Sequence, residues 1–582
     1  MKAQRTGPMP TLTSTPPPEA IPLTPPSATA SKLAAPAMGT AAVALALSAC
    51  GGGSGGTAPA PIIPPVVPIP PAAAPPTRVQ AARFLAQASL SATPAQAAEV
   101  QTQGYSAWLD AQMAMARSSS NVAWLRSKGL AIPDNRNSQI GSEPMLWRKL
   151  LSSPDPLRQR VTLALSEIVV ISISGIANTG FKQFAAAAFM DILEANAFGS
   201  YRTLLEQVST SVAMGGYLTY KGSQKANPTI GSLPDENYAR ELMQLFTVGL
   251  IQLNLDGTAK LDAKGQALET YVQDDVSQLA RVFTGWDIDT SVGSADDPIR
   301  VTSPMVNIAS RHELGEKRFL GAVIPAGTDG PTSLRKALDT LMAHPNMGPF
   351  IGRQLIQRLV TSQPSPGYVA RVAAVFNNNG AGVKGDLRAV VRAILLDTEA
   401  RSDATLTDAS FGKLREPVLR FVQWARTFGI ADVADDWRIA DLSDPAARLG
   451  QSPLRSPSVF NFFRPGYVPP NSGIGDRTVP EFQITTESSV AGYVNFIQGC
   501  ISNGISGLKP DYTATKLLVS DTGALLAELN VLLAAGQVSA GTLSALKTAL
   551  DSISTALATG ATNRLYAALT LVMASPEYIT QK

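Results

Sequence analysis

The chain has 582 residues, a hydrophobic fraction of 45%, a charged fraction of only 16% and a formal net charge of +3 from 48 Lys+Arg against 45 Asp+Glu. That length exceeds what one hydrophobic core usually supports, and a division of the body into subdomains 77–330 and 331–582 is the expectation from size. The near-balanced charge shows no basic stripe, which argues against nucleic acid as a partner, and two cysteines exclude a disulfide framework or a Cys-rich zinc module.

Residues 1–49 read as an export segment. Lys2, Arg5 and Lys32 precede an uncharged apolar run from Leu33 to Ala49, and Leu47-Ser48-Ala49-Cys50 resembles a lipobox, in which the Cys sulfur receives a diacylglycerol. Cys50 is thus the expected lipidation site. Residues 50–76 follow as a disordered Gly/Ser and then Pro/Ala tether, with a reach of roughly 30 Å if coiled. Gly51, where Asp would favour inner-membrane retention, points to the outer membrane or its periplasmic face. An uncleaved membrane helix is the alternative, weakened by Pro36 and by the small residues of the run.

From Thr77 onward the apolar residues take helical spacing between cap signals, so the fold class is mainly α, a large multi-helix domain over 77–582. Thr93-Pro94 opens a helix that Gly104 closes, and Ser153-Pro154 opens another over 157–172. Val272, Val276, Leu279 and Phe283 follow i, i+4, i+7, i+11 on a helix ending at Gly285. Further helices are predicted over 181–213, 332–343, 347–360, 367–378, 385–397, 413–428, 512–535, 538–558 and 562–573. Turn signals at Asp256-Gly257 and Lys264-Gly265, and the Gly/Pro-rich stretch 285–331, predict small β-hairpin excursions. Pro453 to Asp476 is expected to pack as an ordered loop.

The densest polar cluster is Asp235-Glu236-Asn237-Tyr238-Ala239-Arg240-Glu241. At a helix start Asp235 is the expected N-cap, Glu236 pairs with Arg240 and Asn237 with Glu241, and the hundred-degree rotation leaves Glu241 at the border of a buried face made by Tyr238, Leu242, Leu245 and Phe246. These residues suit either acid/base chemistry or a network that fixes helix packing. Only His312 and His344 offer imidazole. His312 stands in Arg311-His312-Glu313-Leu314-Gly315-Glu316-Lys317, where it could hold a divalent metal together with Glu313, Glu316 or acids of the 235–241 helix, although the zincin pattern is absent. His344-Pro345 is expected to cap a helix end. Gly380-Ala381-Gly382-Val383-Lys384-Gly385 matches a dinucleotide fingerprint by letter but lies outside any strand-helix-strand unit, so no nucleotide cofactor is expected.

Taken in order, the 235–242 cluster, Tyr271 to Val276 with Thr284-Gly285-Trp286, His312 to Gly321, His344-Pro345, Phe350 to Leu355, Gly385 to Leu395 and Arg415-Glu416-Pro417 resemble the bacterial family known as domain of unknown function 1800. The resemblance covers about Val79 to Tyr578. It implies an exported, mostly helical protein, with an exported partner similar to alkaline phosphatases and sulfatases, and it supplies no catalytic residues. Two readings therefore stand: an envelope lipoprotein that binds or presents a partner, and a periplasmic enzyme, such as a metal-assisted hydrolase, built from Glu236, Arg240, Glu241, His312, Glu313 and Lys317.

Overall fold

The structure, a computed structural model, describes residues 74–582. The export segment, Cys50 and nearly all of the tether lie outside the described residues. Ala73–Lys582 forms one compact unit, and its twenty-three α-helices against three two-stranded sheets make it mainly α. No helix among the described residues is long and apolar enough to cross a membrane.

Local capping chemistry sets most of the helix starts. Thr77 and Thr93 each form a capping box with the Gln three residues on, while Asp329, Ser365, Asp386 and Ser539 accept from the exposed amides of their own first turns. Two starts differ from expectation. Asp155, with Pro156 behind it, opens the helix Pro156–Ser166 in place of Ser153-Pro154. Gly104 kinks the helix Pro94–Ala114 at φ 76° without ending it, because the apolar pattern resumes through Trp108, Leu109 and Met113. The predicted helix over 181–213 is three helices, Lys182–Asn196, Tyr201–Ser209 and Val212–Tyr217, divided at Gly199-Ser200 and at Thr210-Ser211.

The β excursions fall within the two predicted stretches. Trp286–Asp287 pairs with Val306–Asn307, and Lys317–Phe319 with Ala322–Ile324, both antiparallel, while 251–269 contains only isolated bridges around its two glycine turns. A third pair, Lys413–Leu414 with Thr580–Gln581, ties the last residues of the chain to the middle of the sequence. It replaces the first turn of the helix predicted from 413, which begins instead at Pro417. The Pro453 to Asp476 loop is held by Gln357 Nε2 donating to the Pro465 carbonyl over 3.1 Å and by the Arg358 guanidinium 5.3 Å from the Phe463 ring centre.

Buried apolar residues form two clusters. One runs from Ala81 to Phe411 and takes in Leu454 and Ala535; the other gathers Leu90, Trp147, Leu150, Leu151 and Leu163 with residues from Val418 to Tyr578. Between their flanking segments lies a buried ionic network. Arg358 meets Glu167 at 3.2 Å, Lys413 meets Glu416 at 3.2 Å and Glu481 at 3.1 Å, and Gln451 donates to Glu416 over 2.9 Å. Burial and the neighbouring Glu416 push the Glu167 carboxyl well above the usual range, whereas Lys413 and the carboxyl hydrogen bond from Glu167 hold Glu416 down at about 2 despite its burial. Burial thus acts on both acids, and the cation Lys413 beside Glu416 sets their directions apart.

Candidate functional site

The polar cluster at 235–241 organises around the short helix Gln273–Ala280, called here the central helix. The signature helix, Asn237–Gln244, packs on one of its faces. Ser277 Oγ donates to Glu236 Oε1 at 2.6 Å, Gln273 Nε2 donates to Glu236 Oε2 at 2.8 Å, and Arg240 pairs with the same carboxylate at 3.0 Å. These donors, Ser277 first, hold Glu236 below the ordinary glutamate range. The Glu236–Arg240 pair is the expected one. Asn237, however, reaches Thr219 Oγ1 at 3.4 Å in place of Glu241, and Asp235 accepts from the Asn237 amide at 2.9 Å although Glu236 occupies the cap position.

Glu241 is 8% exposed, at the border of the apolar face as its position requires, and its Oε2 has no hydrogen-bond partner among the described residues. Burial raises its pKa. Burial, with Glu241 nearby, also pushes the Tyr271 hydroxyl up to about 12, and that hydroxyl is likewise without a hydrogen-bond partner. The carboxyl oxygen and the hydroxyl thus both stand in the protein without a hydrogen-bond partner among the described residues.

The second motif occupies the opposite face of the central helix, since Asp275 and Gln278 lie about half a turn round from Gln273 and Ser277. Asp275 Oδ1 accepts from the Leu320 amide at 2.7 Å, and Arg281 donates to the Glu316 carbonyl at 2.7 Å and stands 3.6 Å from Glu313. The Gly315 amide and Arg281 bring Glu313 below its usual range against the opposing effect of burial. His312 is 1% exposed. Its Nδ1 lies 2.9 Å from the Thr284 carbonyl, its Nε2 has no hydrogen-bond partner among the described residues, and burial lowers its pKa. Lys317 is fully buried in the hairpin with the Gly315 carbonyl 3.3 Å from Nζ, and burial with the adjacent Arg281 brings its pKa down to about 8. Glu316 turns outward to Arg318 at 2.7 Å.

The six candidate side chains thus divide, Glu236, Arg240 and Glu241 on one face of the central helix and His312, Glu313 and Lys317 on the other. Among the described residues no three His, Cys, Asp or Glu side chains are grouped to hold a metal ion. His344 Nδ1 accepts from the Asn346 amide at 3.1 Å, so the imidazole serves the helix that follows it, not the last carbonyls of the one before. In the Gly380 to Gly385 loop, Asn378 and Asn379 accept from the amides of Gly380, Ala381, Gly382 and Val383, which uses the donors that a phosphate would need.

The roles of Gln273, Ser277, Asp275 and Arg281 were not anticipated from the sequence. Their signal was present, because the apolar stripe Val272, Val276, Leu279, Phe283 leaves precisely placed polar neighbours at i, i+4 on one side. The tight chain reversal at Gly285 (φ 83°) then seats its backbone against the Ile308 carbonyl and the His312 amide, where a Cβ would lie at 2.9 and 3.1 Å. This close approach brings the second motif onto the central helix.

A family model described as protein of unknown function (DUF1800) matches residues 83–580. The chain belongs to this family. No curated protein and no solved structure matches it. In this DUF1800 chain the motif segments make contacts that join the signature helix, the central helix and the hairpin.

Both motifs also anchor one loop. Ser223 accepts at its carbonyl from the Gly285 amide (2.8 Å) and at its hydroxyl from the Asp235 amide (3.1 Å), while the Lys225 amide donates to the Arg311 carbonyl at 2.9 Å. Asn227 and Ser232 bridge antiparallel above this base, and the tip exposes Ile230 by 74% and Leu233 by 80%.

Proposed function

We propose that this protein is an exported envelope lipoprotein, tethered through Cys50, whose helical body binds a partner protein without itself performing catalysis. The observation that carries the reading is the 223–235 loop. Both family motifs donate or accept at its base, and its tip holds two large apolar side chains in solvent. An apolar side chain at that exposure gains most by burial in a partner, about 1.5–3 kcal/mol each if fully covered. The partner class is the one the family resemblance implies, an exported protein similar to alkaline phosphatases and sulfatases. The spacer after Cys50 would hold the loop clear of the headgroups.

The test is affinity capture of the full chain from envelope fractions, comparing the native loop with the double variant Ile230→Asp, Leu233→Asp. A partner retained in stoichiometric amount by the native loop and lost from the variant is expected. Equal capture by both overturns the assignment to the loop, and no partner with either overturns the partner reading.

A further inference from the structure

A cleft of about 560 Å³ opens at the far end of the signature helix, where Gln244 and Leu245 meet the helix Met347–Leu359 and the Phe460–Val468 segment. Its wall is largely apolar, with Leu253, Phe350, Phe460 and Tyr467 prominent. Gly249 (φ 73°) makes that wall possible, since a Cβ there would stand 2.6 Å from the Phe350 ring.

Two guanidinium groups line this apolar space and no carboxylate does. Arg353 is half-buried and makes no hydrogen bond or ion pair among the described residues; burial alone lowers its pKa. Arg464, exposed at the rim, stacks its guanidinium 4.8 Å from the Phe460 ring centre, which leaves the fork of donors free. Elsewhere in this molecule buried arginines have anionic or carbonyl partners, as Arg158 has Asp155 and Arg426 the carbonyls of Leu150 and Ser153. An unpaired guanidinium turned to an apolar cleft lacks the group that would compensate its desolvation.

We propose that the cleft is a binding site for a small amphiphilic carboxylate, its head forked by Arg353 and its apolar body laid against Phe350, Leu253 and Tyr467. The volume is that of a small-molecule site. A single half-buried guanidinium balances a single negative charge, and the planar fork matches a carboxylate in bidentate geometry. Arg464 at the rim draws the anion in and covers the head. The site is independent of the loop at 223–235, so its occupancy and partner capture stand or fall separately.

The test is calorimetric titration of the full chain with laurate, with lauryl alcohol and with dodecylamine, which share one apolar body and differ in head charge. Saturable laurate binding is expected, at least tenfold tighter than the alcohol or the amine, with a rise in thermal midpoint. Arg353→Gln should weaken laurate about tenfold or more while leaving the alcohol unchanged, and Arg353→Lys should fall between them. If Arg353→Gln does not fold, Leu250→Trp, which adds bulk at a 52% exposed wall position, should block laurate in a folded chain. Equal affinity for laurate and the alcohol, unchanged laurate binding in a folded Arg353→Gln or Leu250→Trp, or no saturable laurate binding would each overturn the proposal.

Discussion

Ser277 donates a 2.6 Å hydrogen bond to Glu236, and through it the start of the signature helix is fixed to the central helix. Gln273 and Arg240 complete the set of donors on that carboxylate. The Glu236 carboxylate of the family signature is therefore satisfied inside the protein. The same central helix grips the His312 to Leu320 segment on its other side, so one short helix joins two motifs that are far apart in sequence.

Glu236→Gln should destabilise the chain by about 1 kcal/mol at neutral pH, the modest size reflecting a group a third exposed and screened by salt. The folded pKa of Glu236 is depressed, so its contribution is present above the unfolded value and lost as pH falls through the folded one. Denaturant midpoints of native and variant chains should accordingly differ at pH 7 and converge below the ordinary glutamate range. A gap that persists in acid would contradict the assignment.

Lys317 has the opposite sense. Its folded pKa is about 8 against an unfolded value near 10.4, so the unfolded chain binds more protons between those values and the native chain is penalised at neutral pH. Lys317→Met should raise the thermal midpoint at pH 7, by at most about 3 kcal/mol in stability, and the advantage should shrink as pH rises through 8 towards 10.5. Loss of stability on this substitution at pH 7 would show that the ammonium has a favourable partner.

His312 is held neutral by burial, so protonation favours unfolding and stability should decline as pH drops below about 6.5. His344, also lowered by burial, adds to the same slope. His312→Asn keeps a donor for the Thr284 carbonyl while removing the titrating ring. Stability measured from pH 7 to pH 5 should fall less steeply in this variant; an unchanged slope would place the dependence elsewhere.

The opposite shifts of Glu167 and Glu416 predict unequal costs for two similar substitutions. Glu167→Gln removes a charge that burial already disfavours and should cost under about 1.5 kcal/mol. Glu416→Gln removes the charge that faces Lys413 and should cost about 3–5 kcal/mol. Chemical denaturation of the two variants side by side checks the order, and equal costs would contradict it.

Much of the body was legible because caps and apolar spacing act locally. Thr93-Pro94, the buried positions Val276, Leu279 and Phe283 of the predicted stripe and the burial of Glu241 at its helix border all follow from local pattern, whereas Val272 at the head of the stripe is exposed at the N-cap. What was not legible depends on contacts between distant segments. The pairing of Lys413–Leu414 with Thr580–Gln581 takes a strand from each of two regions that carry no strand signal, and it overrides the helical pattern at 413. Asn237 donates to Thr219, a partner that spacing along its own helix could not supply. The cleft, too, is assembled from three segments far apart in the sequence, and the free state of Arg353 is visible only when its surroundings are. For the signature itself, the Glu236–Arg240 pair was legible from helix spacing, while the donors that the central helix adds to Glu236 are visible only in the fold.

The most direct test of the central claim is site-specific photocrosslinking in envelope fractions from the loop tip. A benzophenone amino acid replacing Ile230 or Leu233 should yield one discrete adduct with an exported protein, and the same group at Val433, which is fully exposed on a distant turn, should not. Failure to form an adduct at either loop position, or the same adducts from Val433, would contradict the account.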